Sequence, residues 1–195
     1  MRSSFACLIT DLDVRPLLTA LEAKPDLWDQ ITERQTTPGS PHVDTRAIFL
    51  RWATARTIEA VFNDIDAIDY PAYDELPEFR ELVGQICEIN STTKLARVMI
   101  TKLKPGGRIT PHADEGLYAD TYERFHLVLQ SDVGNKFMSQ SKKSQFVYET
   151  AEMRVGELWW FDHKRTHWVE NNSNRDRIHL IMDMAVPFYR VEREQ

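Results

Sequence analysis

The feature that most constrains this sequence is a change of rhythm near its middle. From about residue 94 onward, runs rich in β-branched and aromatic residues recur at short intervals, with Gly, Asn and Ser between them. Such residues suit a pleated, half-buried surface, and the residues between them favour turns. The pattern predicts strands near 96–103, 108–113, 125–130, 136–139, 145–149, 157–161, 167–170 and 177–184. Eight short strands with tight turns suit a sandwich or jelly roll.

Before that point the periodicity is helical. Leu17, Leu18, Leu21 and Leu27 mark one face across residues 14–31, interrupted by Pro25. Phe79, Leu82, Val83, Ile86 and Ile89 mark another across 78–90. Residues 36–43 read as a Pro/Gly/Ser loop, and 45–52 as a strand. Helices first and strands later predict an α+β fold: a mainly helical region, 1–93, packing on a barrel, 94–195, as one integrated domain.

Charge and cysteine usage exclude some partners. The net charge is −6 with both signs interspersed, so no nucleic-acid footprint is expected. The apolar patch near the N-terminus is too short for a membrane span. Cys7 and Cys87 have no metal-type spacing and suit a reducing cytoplasm. Nothing indicates an oligomeric state.

The sharpest chemical feature is Pro111-His112-Ala113-Asp114. Strand positions i and i+2 share a face, so His112 and Asp114 can both aim into a barrel mouth. An imidazole and a carboxylate are two ligands of a non-haem Fe(II) facial triad. His167, opening a later strand, is the expected third. His42-Val43-Asp44 repeats the spacing, but His42 reads as a loop residue. His163, four residues before His167, reads as an exposed turn histidine. A zinc hydrolase on His163 and His167 is the weaker alternative, because Lys164 and Arg165 stand where a catalytic Glu would be needed. Arg177 opens an apolar strand. A cation facing into an apolar barrel needs an anion, which a dicarboxylate co-substrate supplies.

Taken in order, these segments resemble the aspartyl/asparaginyl β-hydroxylase family of 2-oxoglutarate oxygenases. The resemblance runs over about 94–187: Lys104-Pro105-Gly106-Gly107, Pro111-His112-Ala113-Asp114, Arg124-Phe125-His126-Leu127, Gly156 to Asp162, His167 to Asn171, and Arg177. Pro41 to Thr45 and Phe49-Leu50-Arg51 resemble an upstream segment of bacterial and phage-type members. The resemblance implies a double-stranded β-helix (jelly-roll, cupin-like) barrel. It implies His112, Asp114 and His167 as iron ligands and Arg177 as partner of the distal carboxylate of 2-oxoglutarate. It also implies a co-substrate role for Thr101, Arg124 and His126, whose plain alternatives are strand packing and a strand hydroxyl.

The implied reaction is hydroxylation of a C–H bond by Fe(II), 2-oxoglutarate and O2, releasing succinate and CO2. Asp114 departs from the animal members, which lack that carboxylate, and a full triad favours hydroxylation over halogenation. The substrate stays open among an amino acid, a peptide and another small molecule. Arg51, Tyr118 (in an expected lid over 115–123) and Trp160 are candidate substrate contacts. A cupin-like metal-binding scaffold without turnover is the second reading.

Overall fold

The computed structural model describes residues 3–141, 144 and 146–187. The first half contains strands β1 (Phe5–Ile9), β2 (Thr45–Trp52) and β3 (Ile68–Asp69). Its helices are α1 (Arg15–Ala23), α2 (Glu33–Thr36), α3 (Ile58–Asn63), α4 (Pro71–Glu75) and α5 (Pro77–Ile89). A 3₁₀ turn, Pro25–Leu27, follows α1, because Pro25 cannot continue that helix. The second half contains β4 (Lys94–Leu103), β5 (Arg108–His112), α6 (Gly116–Thr121), β6 (Glu123–Gln130) and β7 (Asn135–Gln140). It ends with β8 (Tyr148–Ala151), β9 (Leu158–Phe161), β10 (His167–Asn171) and β11 (Arg177–Ala185). All eight expected strands of this half form. The fifth starts later than expected, at Tyr148, and residue 145 lies outside the described residues.

The strands make two antiparallel sheets. Seven lie in the order β1-β9-β6-β11-β4-β2-β3, and four in the order β5-β10-β7-β8. Strands consecutive in the chain from β4 to β7 alternate between the sheets, an arrangement consistent with a jelly roll.

The first half departs from the mainly helical expectation. β1 pairs with β9, and β2 pairs with β4, so the larger sheet is extended at both edges by the N-terminal region. An unpaired edge exposes a row of backbone donors and acceptors, which these added strands cover. Helices α1, α4 and α5 form a layer on one face of that sheet. Leu17, Leu21, Phe79, Val83 and Ile86 pack with Ile48, Leu50, Val98, Ile100, Phe125, Leu127, Leu180 and Met182.

Alternation along the strands then fixes the opposite face. Ile178, Leu180, Met182 and Met184 belong to the helix-facing core, so Arg177, His179, Ile181 and Asp183 point the other way. That inner face meets the smaller sheet through Leu103, Val128, Phe137, Phe161 and Val169.

The β4–β5 turn, Lys104-Pro105-Gly106-Gly107, brings the chain from one sheet to the other. Gly106 sits at φ +70°, where a side chain would be strained. Asn171, fully buried on β10, donates its side-chain amide to the Leu103, Lys104 and Arg175 carbonyls at 3.0, 3.1 and 2.8 Å. It thereby locks β10 to the turn that launches β5.

Phe79 is 0% exposed and joins the helical layer to the sheet. Phe79→Ala is expected to destabilise the protein by about 3–5 kcal/mol, read as a lower urea midpoint.

Candidate metal centre and anion pocket

His112 ends β5 and His167 begins β10, and the two are paired directly across the ladder. Their ring centroids are 4.3 Å apart. Asp114 lies just beyond the end of β5 rather than within it. It is held there because its backbone N–H donates to the His163 carbonyl at 3.0 Å. His112, Asp114 and His167 each offer one ligand atom, and these atoms all lie within 4.8 Å of one another.

The donor set suits a divalent metal. Nδ1 of His112 lies 2.8 Å from the Thr110 carbonyl, and Nδ1 of His167 lies 2.8 Å from the Arg165 carbonyl. A carbonyl can only accept, so both Nδ1 atoms carry the proton and both Nε2 lone pairs are left for a metal. Burial lowers the His167 pKa to about 3 against an opposing pull from Asp114, so the ring is neutral at pH 7. Burial also lowers His112. Burial alone would raise the Asp114 carboxyl, but Arg124, His163, His167 and His112 together hold it well below the usual carboxylate range.

Arg124 braces the site from β6. Its Nε and Nη2 donate to Asp183 at 2.8 and 2.9 Å, and its Nη1 donates to Asp114. Asp183 stands directly opposite on β11. Tyr118 adds its hydroxyl to Asp183 at 2.9 Å and accepts from the Arg97 backbone N–H at 3.0 Å. Against the cost of burial, the two carboxylates raise the Arg124 pKa.

Arg177 lies on the same inner face, at the other end of the row. It is 4% exposed, and among the described residues no carboxylate pairs with it. Its Nη2 donates to His179 Nδ1 at 3.2 Å, and His126 Nδ1 lies 3.3 Å from the same atom. Nε2 of His126 and Nε2 of His179 are buried without a partner. Burial lowers the Arg177 pKa to about 9, so the guanidinium is still a cation at pH 7. Thr101 is buried directly across the ladder from His179. Arg177, Thr101 and His126 therefore all adjoin His179 on the inner face.

The candidate substrate contacts do not join this group. Arg51 follows a register shift in β2 that turns it toward β3. There it binds Asp69 and the carbonyls of Ala67 and Ala96 at 3.0 and 3.1 Å, as a strut between strands. Trp160 packs in the helix-facing core and donates to Glu123 at 2.8 Å, because alternation along β9 aims it away from the metal centre. Residues 116–121 form α6 rather than an open lid, and Tyr118 is 3% exposed beneath the site. His163 is likewise 1% exposed rather than a surface residue; its Nδ1 lies 3.8 Å from Asp114 and its Nε2 donates to the Ala119 carbonyl at 3.1 Å. It stands outside the three-ligand group.

The structure brings to the site His42, which the sequence reading took for a loop residue, and three residues that it did not single out. His42 meets the His112 ring edge-on at 4.9 Å between centroids. Arg34 acts electrostatically on Arg124, Asp114 and Asp183. His179 and Asp183 follow Arg177 at even spacing along β11, and that period-2 signal could have revealed them.

The fold is shared with several solved structures. It superposes on a 2OG-Fe(II) oxygenase-family oxidoreductase from Burkholderia pseudomallei with TM-score 0.60 and 13% identity, covering 93% of this chain and 84% of the other. A Pseudomonas putida prolyl-4-hydroxylase gives TM-score 0.56 at 14% identity, covering 94% and 93%. HygX from Streptomyces hygroscopicus, with nickel and 2-oxoglutarate bound, gives 0.55 at 11%, covering 95% and 84%. The family model for aspartyl/asparaginyl β-hydroxylase matches residues 29–187, and the chain belongs to that family. The match starts well before residue 94, so it takes in α2 and β2 as well as the barrel. L-proline cis-4-hydroxylase from Rhizobium meliloti is 28% identical over 125 residues, which is 63% of this chain. That alignment spans only 40% of the relative's length.

The buried histidines make stability pH-dependent. Burial holds His126, His179 and His42 well below their usual value of 6.5, and His167 at about 3. As the pH drops below 6.5, the unfolded chain takes up protons that the folded one refuses. Metal-free protein is therefore expected to hold its full histidine contribution above that value and to lose stability steadily below it. Urea midpoints measured between about pH 7.5 and pH 5 check this, and a flat profile contradicts it.

Proposed function

We propose that this protein is an Fe(II)- and 2-oxoglutarate-dependent dioxygenase that hydroxylates a C–H bond of an amino acid, a peptide or another small molecule. One observation carries the reading. Two imidazole Nε2 lone pairs and a carboxylate converge at one end of an inner face that holds a buried, carboxylate-free guanidinium at the other. A metal at the first and a diacid reaching to the second satisfy both.

Iron and 2-oxoglutarate, when bound, supply the oxidising chemistry with O2, with succinate and CO2 as by-products. The protein's part is to hold and shield. His112, Asp114 and His167 would hold the metal, each through one ligand atom. Arg177 would pair with the distal carboxylate, with Thr101 near enough to add its hydroxyl. His126 adds an orphaned Nε2 on the same inner face. Arg124 has its Nε and both Nη atoms committed to Asp114 and Asp183, so its role is to orient the carboxylate ligand rather than to grip the co-substrate.

A metal-binding scaffold has no need of a buried cation without a counter-ion, which favours the enzyme. A zinc hydrolase is disfavoured because His163 is tied to Ala119 and no carboxylate stands between it and His167 to act as base. The free thiols of Cys7 and Cys87 suit the cytoplasm. Residues 1–93 and 94–195 act as one domain, because β1, β2 and β3 belong to the larger barrel sheet. The relatives make L-proline the first substrate to try.

With Fe(II) and ascorbate, the wild-type protein is expected to convert 2-oxoglutarate to succinate even without substrate. His112→Ala is expected to abolish succinate formation. Arg177→Ala is expected to weaken 2-oxoglutarate binding by about 30-fold or more, the cost of removing one partner of a buried charge pair. Metal binding without succinate would favour the scaffold.

A further inference from the structure

We propose that Arg34 and His42 form a subsite for a carboxylate carried by the substrate, so that the substrate is a free carboxylic acid such as a free amino acid. The inference rests on the oxygenase reading and narrows its substrate class.

Arg34 and His42 belong to one folded segment pinned beside the metal centre. The Thr110 N–H donates to the Pro41 carbonyl at 3.1 Å, fixing the segment on β5 two residues before His112. Asp44 binds Lys104 at 2.6 Å and the Arg108 N–H at 3.0 Å, fixing it to the β4–β5 turn. Internally, the His42 N–H donates to the Ser40 hydroxyl at 3.1 Å, and Ser40 donates to the Arg34 carbonyl. Arg34 and His42 are thereby held over His112 rather than left on a loose loop.

Neither side chain is satisfied there. The only hydrogen bond of the Arg34 guanidinium among the described residues is a long one, 3.5 Å, to the Thr45 hydroxyl. Asp114 and Asp183 attract it, but Arg124 is the cation that bonds both. Nδ1 of His42 is buried with no partner, although its ring touches that of His112. Leaving a buried imidazole nitrogen and a guanidinium without acceptors is costly unless a ligand supplies them.

Charge balance says what that ligand carries. Asp114 and Asp183 act on Arg34 and Arg124, Asp183 also acts on Arg97, and Arg177 has no carboxylate beside it among the described residues. A divalent metal and a dicarboxylate co-substrate cancel each other. Arg97 is answered by three backbone carbonyls and Arg177 by the far end of the diacid, which leaves Arg34 as the guanidinium with no anion bonded to it among the described residues. A substrate carboxylate neutralises it, with one oxygen for the guanidinium and the other for Nδ1–H of His42. An internal peptide residue has no carboxylate in that position and leaves Arg34 uncompensated.

The test uses nickel-loaded protein with 2-oxoglutarate, titrated with the twenty free L-amino acids and their primary amides by calorimetry. Iron-loaded protein is then screened by mass spectrometry for a gain of one oxygen. At least one acid is expected to bind and gain oxygen, with its amide weaker by about tenfold or more. Arg34→Gln is expected to weaken that acid by about tenfold or more, and Arg34→Lys by less. No binding by any acid overturns the proposal. So does an amide that binds as tightly as its acid, or an Arg34→Gln protein with a normal melting curve and unchanged affinity. Wild-type protein that binds 2-oxoglutarate but fails these arms loses only the subsite. Wild-type protein that does not bind 2-oxoglutarate loses the oxygenase reading as well.

Discussion

Arg124 is shared between two carboxylates, and the rest of the site is arranged around that sharing. A buried guanidinium needs compensation, and a buried carboxylate needs it equally. Arg124 meets both needs by bridging Asp183 on β11 and Asp114 beyond β5. One side chain therefore ties the larger sheet to the loop that carries a metal ligand. Tyr118 extends the bridge to β4 through the Arg97 backbone. The buried polar row is tolerable because its members answer one another, and the groups left unanswered lie where ligands would be.

This places the function in the contrast between satisfied and unsatisfied cations on one inner face. Arg97 is capped by the backbone carbonyls of Ala60, Val61 and Asp64. Arg124 has two carboxylates. Arg177 and Arg34 have none bonded to them among the described residues. Two of these four arginines, Arg97 and Arg177, are buried and the other two are half-buried, and the unpaired ones flank the candidate metal centre.

Much of this was legible in the sequence, for physical reasons that can be named. Period-2 alternation and turn residues located the eight barrel strands, and the i, i+2 spacing of His112 and Asp114 put both at one rim. Arg177 stood out because a cation at the head of an apolar strand is expensive. The strands β1 and β3 were harder to read, because a five-residue apolar patch and an Ile-Asp pair acquire their pairing only from a neighbouring edge. Arg51 was read as a substrate contact by its place in the upstream segment, Trp160 by its aromatic cluster and Tyr118 by the loop after Asp114. Their directions depend on a register shift, on which face of β9 meets the helices, and on α6, none of which local composition encodes. Arg34 was not singled out, and His42 was set aside as a loop residue, for the opposite reason. A loop residue looks solvated until tertiary packing presses it against His112.

The central claim is that three side chains share one metal while a guanidinium behind them grips a diacid. The most direct measurement is a crystal structure of protein soaked anaerobically with Fe(II) and 2-oxoglutarate, phased to locate the iron by its anomalous signal. The account predicts a single iron bonded to His112 Nε2, Asp114 and His167 Nε2, with the diacid running from the metal to Arg177. Iron bound through His163 instead, or a diacid whose far end lies away from Arg177, would contradict it.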